Sequence, residues 1–346
     1  MKQKNPKVLF VATSRKTMGG ITSVLKRYEK MEIWEKYHCA WLETQINKGI
    51  ALKLWYIIKA YIAMLFIVPR YDIIHFHTVP GRSMLVQLPI FLYSKLWRKK
   101  NITHLHVGNQ LIAYKDNRLF NFVLRKTKQI VVLANIAQDY IKKYYCLSSR
   151  TIYNPIEEQT RIDNTNRENI IFFAAYLCKD KGYETMIEAF ARVAKKYPNW
   201  KLVISGTGEI DEVKILINKY GIASNVIIYK WLNFQQMREL YKKASIFCIA
   251  SKKEGFPMTF LEASSYGVPI VTTPVGGLVD VVENERNCMI FNFDNAVEMA
   301  EQICKLIESE ELRIKISINQ QKLIHNSFSI EAINNSLNTL YEELLR

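Results

Sequence analysis

Short apolar runs alternate with amphipathic stretches along most of the chain, and this alternation constrains the fold more than any other feature of the sequence. Runs of this kind are typical of parallel β-strands that are joined by helices. The first intervening stretch carries Ile21, Val24, Leu25 and Tyr28 at helical spacing, on one apolar stripe. In the first half the pattern predicts strands at Val8–Ala12, Cys39–Glu43, Asp72–His77, Ile102–Val107, Ile130–Leu133 and Thr151–Tyr153.

The same pattern begins again in the second half, after Asn154-Pro155 and a polar stretch at 157–169 that is typical of a linker. Beyond Asn295 the periodicity is helical and ends in Ile330–Leu345. In between, the pattern predicts strands at Ile170–Ala175, Lys201–Ser205, Val226–Tyr229, Ile246–Ala250 and Ile270–Thr273.

A chain of 346 residues is long enough for two domains. We therefore predict an α/β protein with two doubly wound, Rossmann-like domains that face a cleft. The expected boundaries are 1–160 and 161–325, with a C-terminal helix in 326–346 that packs back on the first domain. In open α/β sheets ligands bind at the carboxyl ends of the strands, so we expect functional residues in the loops that follow them.

The net charge of +16 is unevenly distributed. Residues 1–150 contain 26 lysines and arginines against seven acidic residues, a net charge of +19, whereas the remaining residues contain 22 against 25. A basic first half indicates a partner of its own, either nucleic acid or an anionic membrane surface. The basic residues accompany no nucleic-acid recognition motif, so we expect no nucleic acid and favour the membrane surface.

The cysteines and the N-terminus indicate a cytoplasmic protein. The six cysteines are scattered without a Cys-x-x-Cys pair, which is typical of reduced thiols in the cytosol. Lys2, Lys4 and Lys7 precede only the short run Val8–Ala12, which is better interpreted as a strand than as part of a signal peptide. With the charge distribution, this predicts peripheral attachment at the inner face of the cell membrane.

The segment 50–68 is apolar apart from Lys53 and Lys59, and its length approaches that of a transmembrane helix. It must connect two strands of one sheet, however, which favours a crossover helix. Two alternatives remain at this stage: plain burial, or a helix that is partly buried and partly faces a membrane, for which Trp55, Tyr56 and Tyr61 are suited.

The segment 251–263 follows the predicted strand Ile246–Ala250 and contains the largest concentration of candidate site residues. Pro257 is suited to the first helical position, which leaves the amides of Met258 and Thr259 free to bind a diphosphate. Glu254 would lie on the loop and could accept sugar hydroxyls, while Glu262 on the helix could accept ribose hydroxyls. The alternative is that Glu254 is a solvated loop charge and Glu262 an ordinary helix residue.

Glu254 and Glu262, followed by Gly267-Val268-Pro269 and Gly276-Gly277, resemble the signature of the family 4 retaining glycosyltransferases, also described as glycosyl transferases group 1. The likeness extends over nearly the whole chain and implies the GT-B fold. It also implies that Glu262 holds the donor ribose and that Glu254 holds the transferred sugar near its reacting carbon.

The segment 173–182 is similar to the motif in which the family clamps the donor diphosphate with an arginine and a lysine. Lys181 fits the lysine position, whereas Tyr176 stands where the arginine is expected. A neutral phenol cannot replace a guanidinium group on phosphate, so Arg15 and Lys16 are candidates for the second cation.

Glycine pairs after two strands are further candidates. Gly19-Gly20 end the loop after the first strand, and the family places such a pair against the donor diphosphate. The turn Gly206-Thr207-Gly208 is as often a packing turn as a ligand contact.

Four histidines lie on two strands of the first half. His106, followed by Val107-Gly108-Asn109, resembles the family's strand-end histidine beside the transferred sugar, as a catalytic group. His75 and His104 are interpreted as satisfied histidines at a sheet edge, and His77 as part of the acceptor side. We expect no metal here, since no cysteine or carboxylate cluster joins them.

The sequence thus predicts a metal-independent enzyme without cofactors. It would transfer a hexose-type sugar, with retention, from a nucleoside diphosphate sugar to a glycan or lipid-linked acceptor in surface polysaccharide or glycolipid synthesis. No Asp-x-Asp motif is present, so the positive groups would replace Mg²⁺. The alternatives are a nucleotide-sugar epimerase of the same fold and a non-catalytic sugar-binding protein at a membrane surface.

Overall fold

The computed structural model describes residues 6–17, 19–159 and 167–346, of which the side chains of residues 109 and 110 are left out. The chain divides into two compact units. The first comprises Met1–Pro155 and Ser327–Arg346, and the second comprises Ile156–Asn326.

The first unit is built on a parallel six-stranded sheet of order β2-β1-β3-β4-β5-β6. Its strands are β1 Val8–Ala12, β2 Ala40–Glu43, β3 Ile73–Thr78, β4 Lys100–Leu105, β5 Gln129–Val132 and β6 Arg150–Thr151. Its helices are α1 Gly20–Tyr28, α2 Glu32–Lys36, α3 Ile50–Ile67, α4 Arg82–Leu96, α5 Arg118–Lys126, α6 Asn135–Tyr145 and the C-terminal helix Ile330–Leu345. Apolar side chains of β1, β3, β4 and β5 pack under α3 to α6 and form one core.

The second unit has a parallel six-stranded sheet of order β12-β11-β10-β7-β8-β9. Its strands are β7 Glu168–Ala174, β8 Lys201–Ser205, β9 Val226–Tyr229, β10 Ala244–Ile249, β11 Ile270–Thr272 and β12 Met289–Ile290. Its helices are α7 Tyr183–Lys196, α8 Ile210–Lys219, α9 Phe234–Lys243, α10 Met258–Ser265, α11 Ala296–Glu308 and α12 Glu310–Leu323. The α/β class with two Rossmann-like sheets is confirmed.

The C-terminal helix, here α13, belongs to the first unit. Its Asn334 Oδ1 accepts the amide of Ile33 at 3.0 Å, and its Asn338 Oδ1 accepts the hydroxyl of Tyr37 at 2.8 Å. Tyr341 packs edge-on against Tyr37, with ring centroids 5.2 Å apart. These contacts hold α13 against α2 and against Tyr37, which follows α2.

Helix α3 is the crossover between β2 and β3, but plain burial does not describe it. Of its residues only Ala60 is fully buried, and by length and composition alone the segment Ile50–Arg70 could cross a membrane. Both of its ends are tied to strands of one sheet, and Tyr61 donates to the Val86 carbonyl of α4 at 2.9 Å. The helix therefore lies along the first unit with most of its apolar surface exposed.

Candidate functional site

Lys181 ends a short 3₁₀ turn that packs directly on the end of β10. Gly182 follows with φ of 70°, and a Cβ atom there would lie 2.0 Å from the carbonyl oxygen of Ala250. The amide of Lys252 donates to the carbonyl of Asp180 at 2.8 Å. Because only glycine permits this approach, the turn after β7 and the loop after β10 are held together.

Glu254 lies in the loop after β10 and contacts Lys181 directly. The distance from Lys181 Nζ to Glu254 Oε1 is 2.5 Å, and Ser251 Oγ donates to the same oxygen at 2.8 Å. The side chain of Glu254 is only 15% exposed. The structure thus brings together two predicted site residues that are 73 positions apart in the sequence.

The glycine pair Gly276-Gly277 contacts the backbone of the loop that carries Glu254. The amide of Gly277 donates to the carbonyl of Gly255 at 2.7 Å, and a Cβ atom at Gly276 would lie 2.3 Å from the carbonyl oxygen of Glu254. Gly276 also has a positive φ of 57°. Gly276-Gly277 therefore fixes the backbone position of Glu254.

The N-terminus of α10 follows four residues after Glu254. Pro257 is the residue that precedes the helix, so the prediction that it occupies the first helical position is wrong by one residue. Phe260 is the first helix amide to reach a backbone carbonyl, that of Pro257 at 3.1 Å. Within the described residues the amides of Met258 and Thr259 reach no backbone carbonyl, an arrangement that binds anions.

Glu262 lies one turn further into α10 and is half-buried. Its Oε2 accepts the hydroxyl of Tyr241 at 3.2 Å. Tyr241 is fixed by aromatic contacts with Phe172 and Phe247 and by stacking on Tyr266. This hydrogen bond orients the Glu262 carboxylate. Sequence reasoning missed Tyr241, since it comes from α9 and no local motif marks it.

Gly19, Gly20 and Arg15 of the first unit are the other predicted contacts of the donor diphosphate. Gly20 begins α1 and Gly19 precedes it, and a Cβ atom at Gly19 would meet no atom within 4 Å. Arg15, a candidate for the second cation, pairs through its guanidinium with Glu29 at 2.7 Å and with Glu43 at 3.2 Å. Its role at a diphosphate stays a prediction.

Gly206 and Gly208 are packing residues in this structure. Added Cβ atoms would lie 2.0 Å from the carbonyl oxygen of Ala175 and 2.2 Å from that of Leu177. The turn lies against the chain after β7, where Tyr176 is 64% exposed.

The histidines form a continuous row on one face of the first sheet. His77 is paired in register with His104, and ring centroids are 4.6 Å apart for this pair and 5.0 Å for His77 and His106. The expectation that His75 and His104 lie at a sheet edge is wrong, because both are fully buried in the middle strands β3 and β4. His75 Nδ1 is hydrogen-bonded to the Tyr341 hydroxyl at 2.8 Å, whereas His75 Nε2 has no hydrogen-bond partner among the described residues.

Burial keeps these imidazoles neutral. It lowers the pKa of His106 to about 3 and, together with His106, that of His75 to about 3. The pKa of His104 is lowered well below its usual value by burial and by His106 and His75, while the Ile152 carbonyl opposes the shift. A charged imidazolium at neutral pH is thereby disfavoured throughout the row.

The nitrogens of His75, His77 and His104 lie within 4.8 Å of one another. Three imidazole nitrogens this close to one another could hold a metal ion, and no carboxylate belongs to the group. The expectation that no metal binds here therefore stays a prediction.

Comparisons with known proteins support this description of the second unit. Residues 155–323 match the profile of the family described as "Glycosyl transferases group 1". Staphylococcus aureus CapM, a capsular polysaccharide biosynthesis glycosyltransferase, is 30% identical over 203 residues, which are 55% of this chain and 52% of CapM. The N-acetyl-alpha-D-glucosaminyl L-malate synthase of Bacillus anthracis is 24% identical over 80% of this chain and 75% of its own length.

The chain spans about half the length of the first curated relatives that it matches, 46% of one from Haemophilus influenzae and 52% of CapM. Among solved structures, Anabaena HepE in complex with UDP and glucose superposes with a TM-score of 0.78 at 18% identity, over 98% of this chain and 100% of HepE. This likeness shows the GT-B fold. Residues 155–323, about half of this chain, are thus similar to the glycosyl transferases group 1.

Proposed function

We propose that this chain is a retaining glycosyltransferase that moves a hexose-type sugar from a nucleoside diphosphate sugar to a glycan or lipid-linked acceptor. The observation that carries the proposal is the contact between Lys181 and Glu254 beside the N-terminus of α10. A lysine and a helix N-terminus suit a diphosphate, and a nearby carboxylate suits sugar hydroxyls. Glu262, further along the helix, suits the ribose.

The names of the similar proteins support the donor and the setting of this proposal. HepE has been crystallised with UDP and with UDP-glucose. The name of CapM places it in capsular polysaccharide biosynthesis. We therefore assign the present chain to surface polysaccharide or glycolipid synthesis, with a nucleoside diphosphate sugar as its donor.

In the proposed reaction the bond between the anomeric carbon and the diphosphate oxygen breaks, and the acceptor oxygen bonds to that carbon on the same face. The proton of the acceptor hydroxyl passes to the leaving diphosphate oxygen. Lys181 and the amides of Met258 and Thr259 stabilise the leaving charge, with Gly19-Gly20 as a further contact. His106 donates a hydrogen bond to the transferred sugar, and Glu254 accepts one from it.

A panel of UDP-, GDP- and ADP-sugars tests this function, first by thermal shift and then by product analysis. Binding of the correct donor raises the melting temperature by mass action. Transfer to a lipid-linked or glycan acceptor, with the anomeric configuration of the donor kept, is the expected result. Conversion of the donor without an acceptor would identify an epimerase instead, and binding without any turnover would identify a sugar-binding protein.

We propose that transfer needs no divalent metal, since Lys181 and the α10 N-terminus supply the positive charge at the diphosphate. Treatment with EDTA should leave the initial rate within about twofold of its untreated value, because no metal-held charge is removed. The rate before and after chelation, and after added Mg²⁺ or Mn²⁺, measures this. Loss of activity that only a divalent ion restores would contradict metal independence.

We further propose that the first unit rests on the anionic, cytoplasmic face of the cell membrane. Residues 45–115 contain ten lysines and arginines and one acidic residue, Asp72, which accepts the amide of Lys7 at 2.8 Å. The same segment exposes a large apolar surface on α3 and α4. Its members on α3, on α4 and directly after α4 are Ile50, Leu52, Leu54, Trp55, Ile58, Ile62, Leu65, Phe66, Leu85, Leu92, Leu96 and Trp97. Apolar and basic groups together match the interface of an anionic bilayer.

A further inference from the structure

The row of histidines contains one hydrogen bond between two imidazoles. His77 Nδ1 lies 2.8 Å from His106 Nε2. His77 is fully buried, whereas His106 follows β4 and is half-buried. His77 therefore supports His106 from the interior of the sheet.

Both rings of this pair are neutral. Burial lowers the pKa of His106 to about 3, and burial together with the nearby imidazoles of His75, His104 and His106 lowers the pKa of His77 well below its usual value. A neutral imidazole carries one N–H and one lone pair. In a hydrogen bond between two such rings, one nitrogen must be protonated and the other bare, so the pair has two possible arrangements.

The Nε2 nitrogen of His77 decides which of the two proton arrangements is favoured. This nitrogen is buried and has no hydrogen-bond partner among the described residues. If Nδ1 accepted the bond, the proton of His77 would sit on this Nε2 as an orphaned donor. Buried N–H groups without a partner are rarer in native structures than under-satisfied acceptors. The favoured arrangement has His77 Nδ1–H donating to a bare His106 Nε2.

We propose that His77 is a positioning residue that fixes His106 as the neutral Nδ1–H tautomer. His106 then presents a hydrogen-bond donor, and neither a lone pair nor a full positive charge, at its remaining nitrogen. This inference rests on the proposed transferase function, in which His106 contacts the transferred sugar. It makes that contact selective for a sugar oxygen that accepts a hydrogen bond, and it excludes His106 as a general acid at neutral pH.

The packing around His77 explains why the ring keeps its orientation. It lies against Phe10 and Tyr28, with centroids 5.7 and 5.6 Å away, and between His75 and His104 at 4.6 Å each. The backbone carbonyl of His77 accepts Gln87 Nε2 at 3.0 Å. The ring is enclosed by neighbours, so it keeps the orientation that places Nδ1 against His106.

The tautomer is measured directly on the full chain by two-bond ¹⁵N–¹H correlation spectra with ¹⁵N-labelled histidine. Signals of His106 are identified by their loss in His106→Asn. We expect His106 to be protonated at Nδ1 and bare at Nε2 at pH 7.5, and to remain neutral at pH 5.5. Protonation at Nε2, or titration near pH 6.5, would overturn the proposal. This readout needs no donor and no turnover, so it stands apart from the transferase assay.

Variants of His77 test the consequence for transfer. His77→Phe keeps an aromatic ring but removes the donor, so kcat should fall about tenfold, the loss of one hydrogen bond, with KM for the donor nearly unchanged. His77→Asn keeps an N–H donor near the Nδ1 position and should recover most of that loss. Equal kcat in His77→Phe and wild type would refute positioning. Absence of turnover in wild type with every donor would refute the transferase function instead, while the spectra still decide the tautomer.

Discussion

At the scale of single residues, Glu262 is the carboxylate that we propose for the donor ribose. It accepts the Tyr241 hydroxyl at 3.2 Å, and donor hydroxyls would have to find another acceptor if it were removed. We predict that Glu262→Ala weakens UDP binding about 10- to 150-fold, the equivalent of about 1.5–3 kcal/mol for a hydrogen bond to a charged acceptor. Calorimetric titration with UDP measures this.

The matched control is Glu301→Ala, which removes an exposed glutamate from α11. It should bind UDP as the wild type does, and both variants should melt within a few degrees of it. UDP affinity that is unchanged in Glu262→Ala would remove Glu262 from the site.

The neutral histidines make stability depend on pH. Burial, and then His106, lowers the pKa of His75 to about 3, against about 6.5 in the unfolded chain. Above pH 6.5 neither state takes up a proton. Below pH 6.5 the unfolded state binds a proton at this histidine and the folded state does not. The free energy of unfolding therefore decreases as the pH is lowered. We predict a loss of about 1 kcal/mol for His75 alone between pH 7.5 and 5.5.

Urea unfolding at pH 7.5 and at pH 5.5 measures this loss. In His75→Phe the free energy of unfolding should differ less between the two pH values, by about the 1 kcal/mol assigned to His75. His325, which is exposed and hydrogen-bonded to Glu158, supplies the control through His325→Phe, which should leave the loss nearly intact. A free energy of unfolding that is equal at both pH values in the wild type would contradict the neutral state of the row.

At the scale of elements, Gly182 lies between the turn that contains Lys181 and helix α7. It also packs against the end of β10. Its φ is 70°, and a Cβ atom would lie 2.0 Å from the Ala250 carbonyl oxygen. Gly182→Ala therefore combines left-handed strain of about 1–2 kcal/mol with overpacking of about 1–3 kcal/mol. We predict a loss of about 2–5 kcal/mol in the free energy of unfolding, measured in urea.

Gly221 is a matched control because it has nearly the same φ, 68°, but no atom within 4 Å of an added Cβ. Gly221→Ala should lose only the backbone part, about 1–2 kcal/mol. Equal losses in the two variants would mean that the contact between the turn and β10 contributes nothing.

Most elements follow from the sequence because apolar periodicity reports burial, and burial decides the elements in both sheets. Strands β1, β8 and β9 lie where the pattern places them, and the others differ by one or two residues at their ends. The pattern misses β12, Met289–Ile290, since two residues are too few for a period. It also leaves the exposure of α3 open, because an apolar helix has the same composition in a core and on a surface.

The local part of the candidate site follows from its motif, while the long-range part does not. One strand–loop–helix segment, predicted from the sequence, contains four of the site residues: Glu254, Met258, Thr259 and Glu262. Their partners come from distant segments, Lys181 and Tyr241 among them, and only folding brings these into contact. The hydrogen bond between His77 and His106 is of the same kind, since it requires the register between β3 and β4.

At the scale of the whole molecule, the two halves of the chain differ in charge: residues 1–150 are strongly basic, and the remaining residues are not. The first unit combines its high positive charge with the exposed apolar residues of α3 and α4. Large exposed apolar surfaces mark sites of contact with a partner protein or a membrane. Each lysine or arginine close to an anionic leaflet contributes about 1 kcal/mol to attachment, and apolar side chains at the headgroup level add to it.

The intact protein should therefore sediment with vesicles that contain phosphatidylserine, be released as salt rises, and ignore purely zwitterionic vesicles. Replacing Lys53 and Lys59 of α3 by glutamate should weaken binding at least about 30-fold, since two contributions of about 1 kcal/mol are lost and two repulsive charges are added. The matched control replaces Lys214 and Lys219 of α8, exposed in the second unit, and should bind as the wild type does. Binding of UDP should be the same in all three proteins. If the wild type stays in the supernatant with anionic vesicles at low salt, or if both double variants lose binding equally, α3 is not the membrane-facing element.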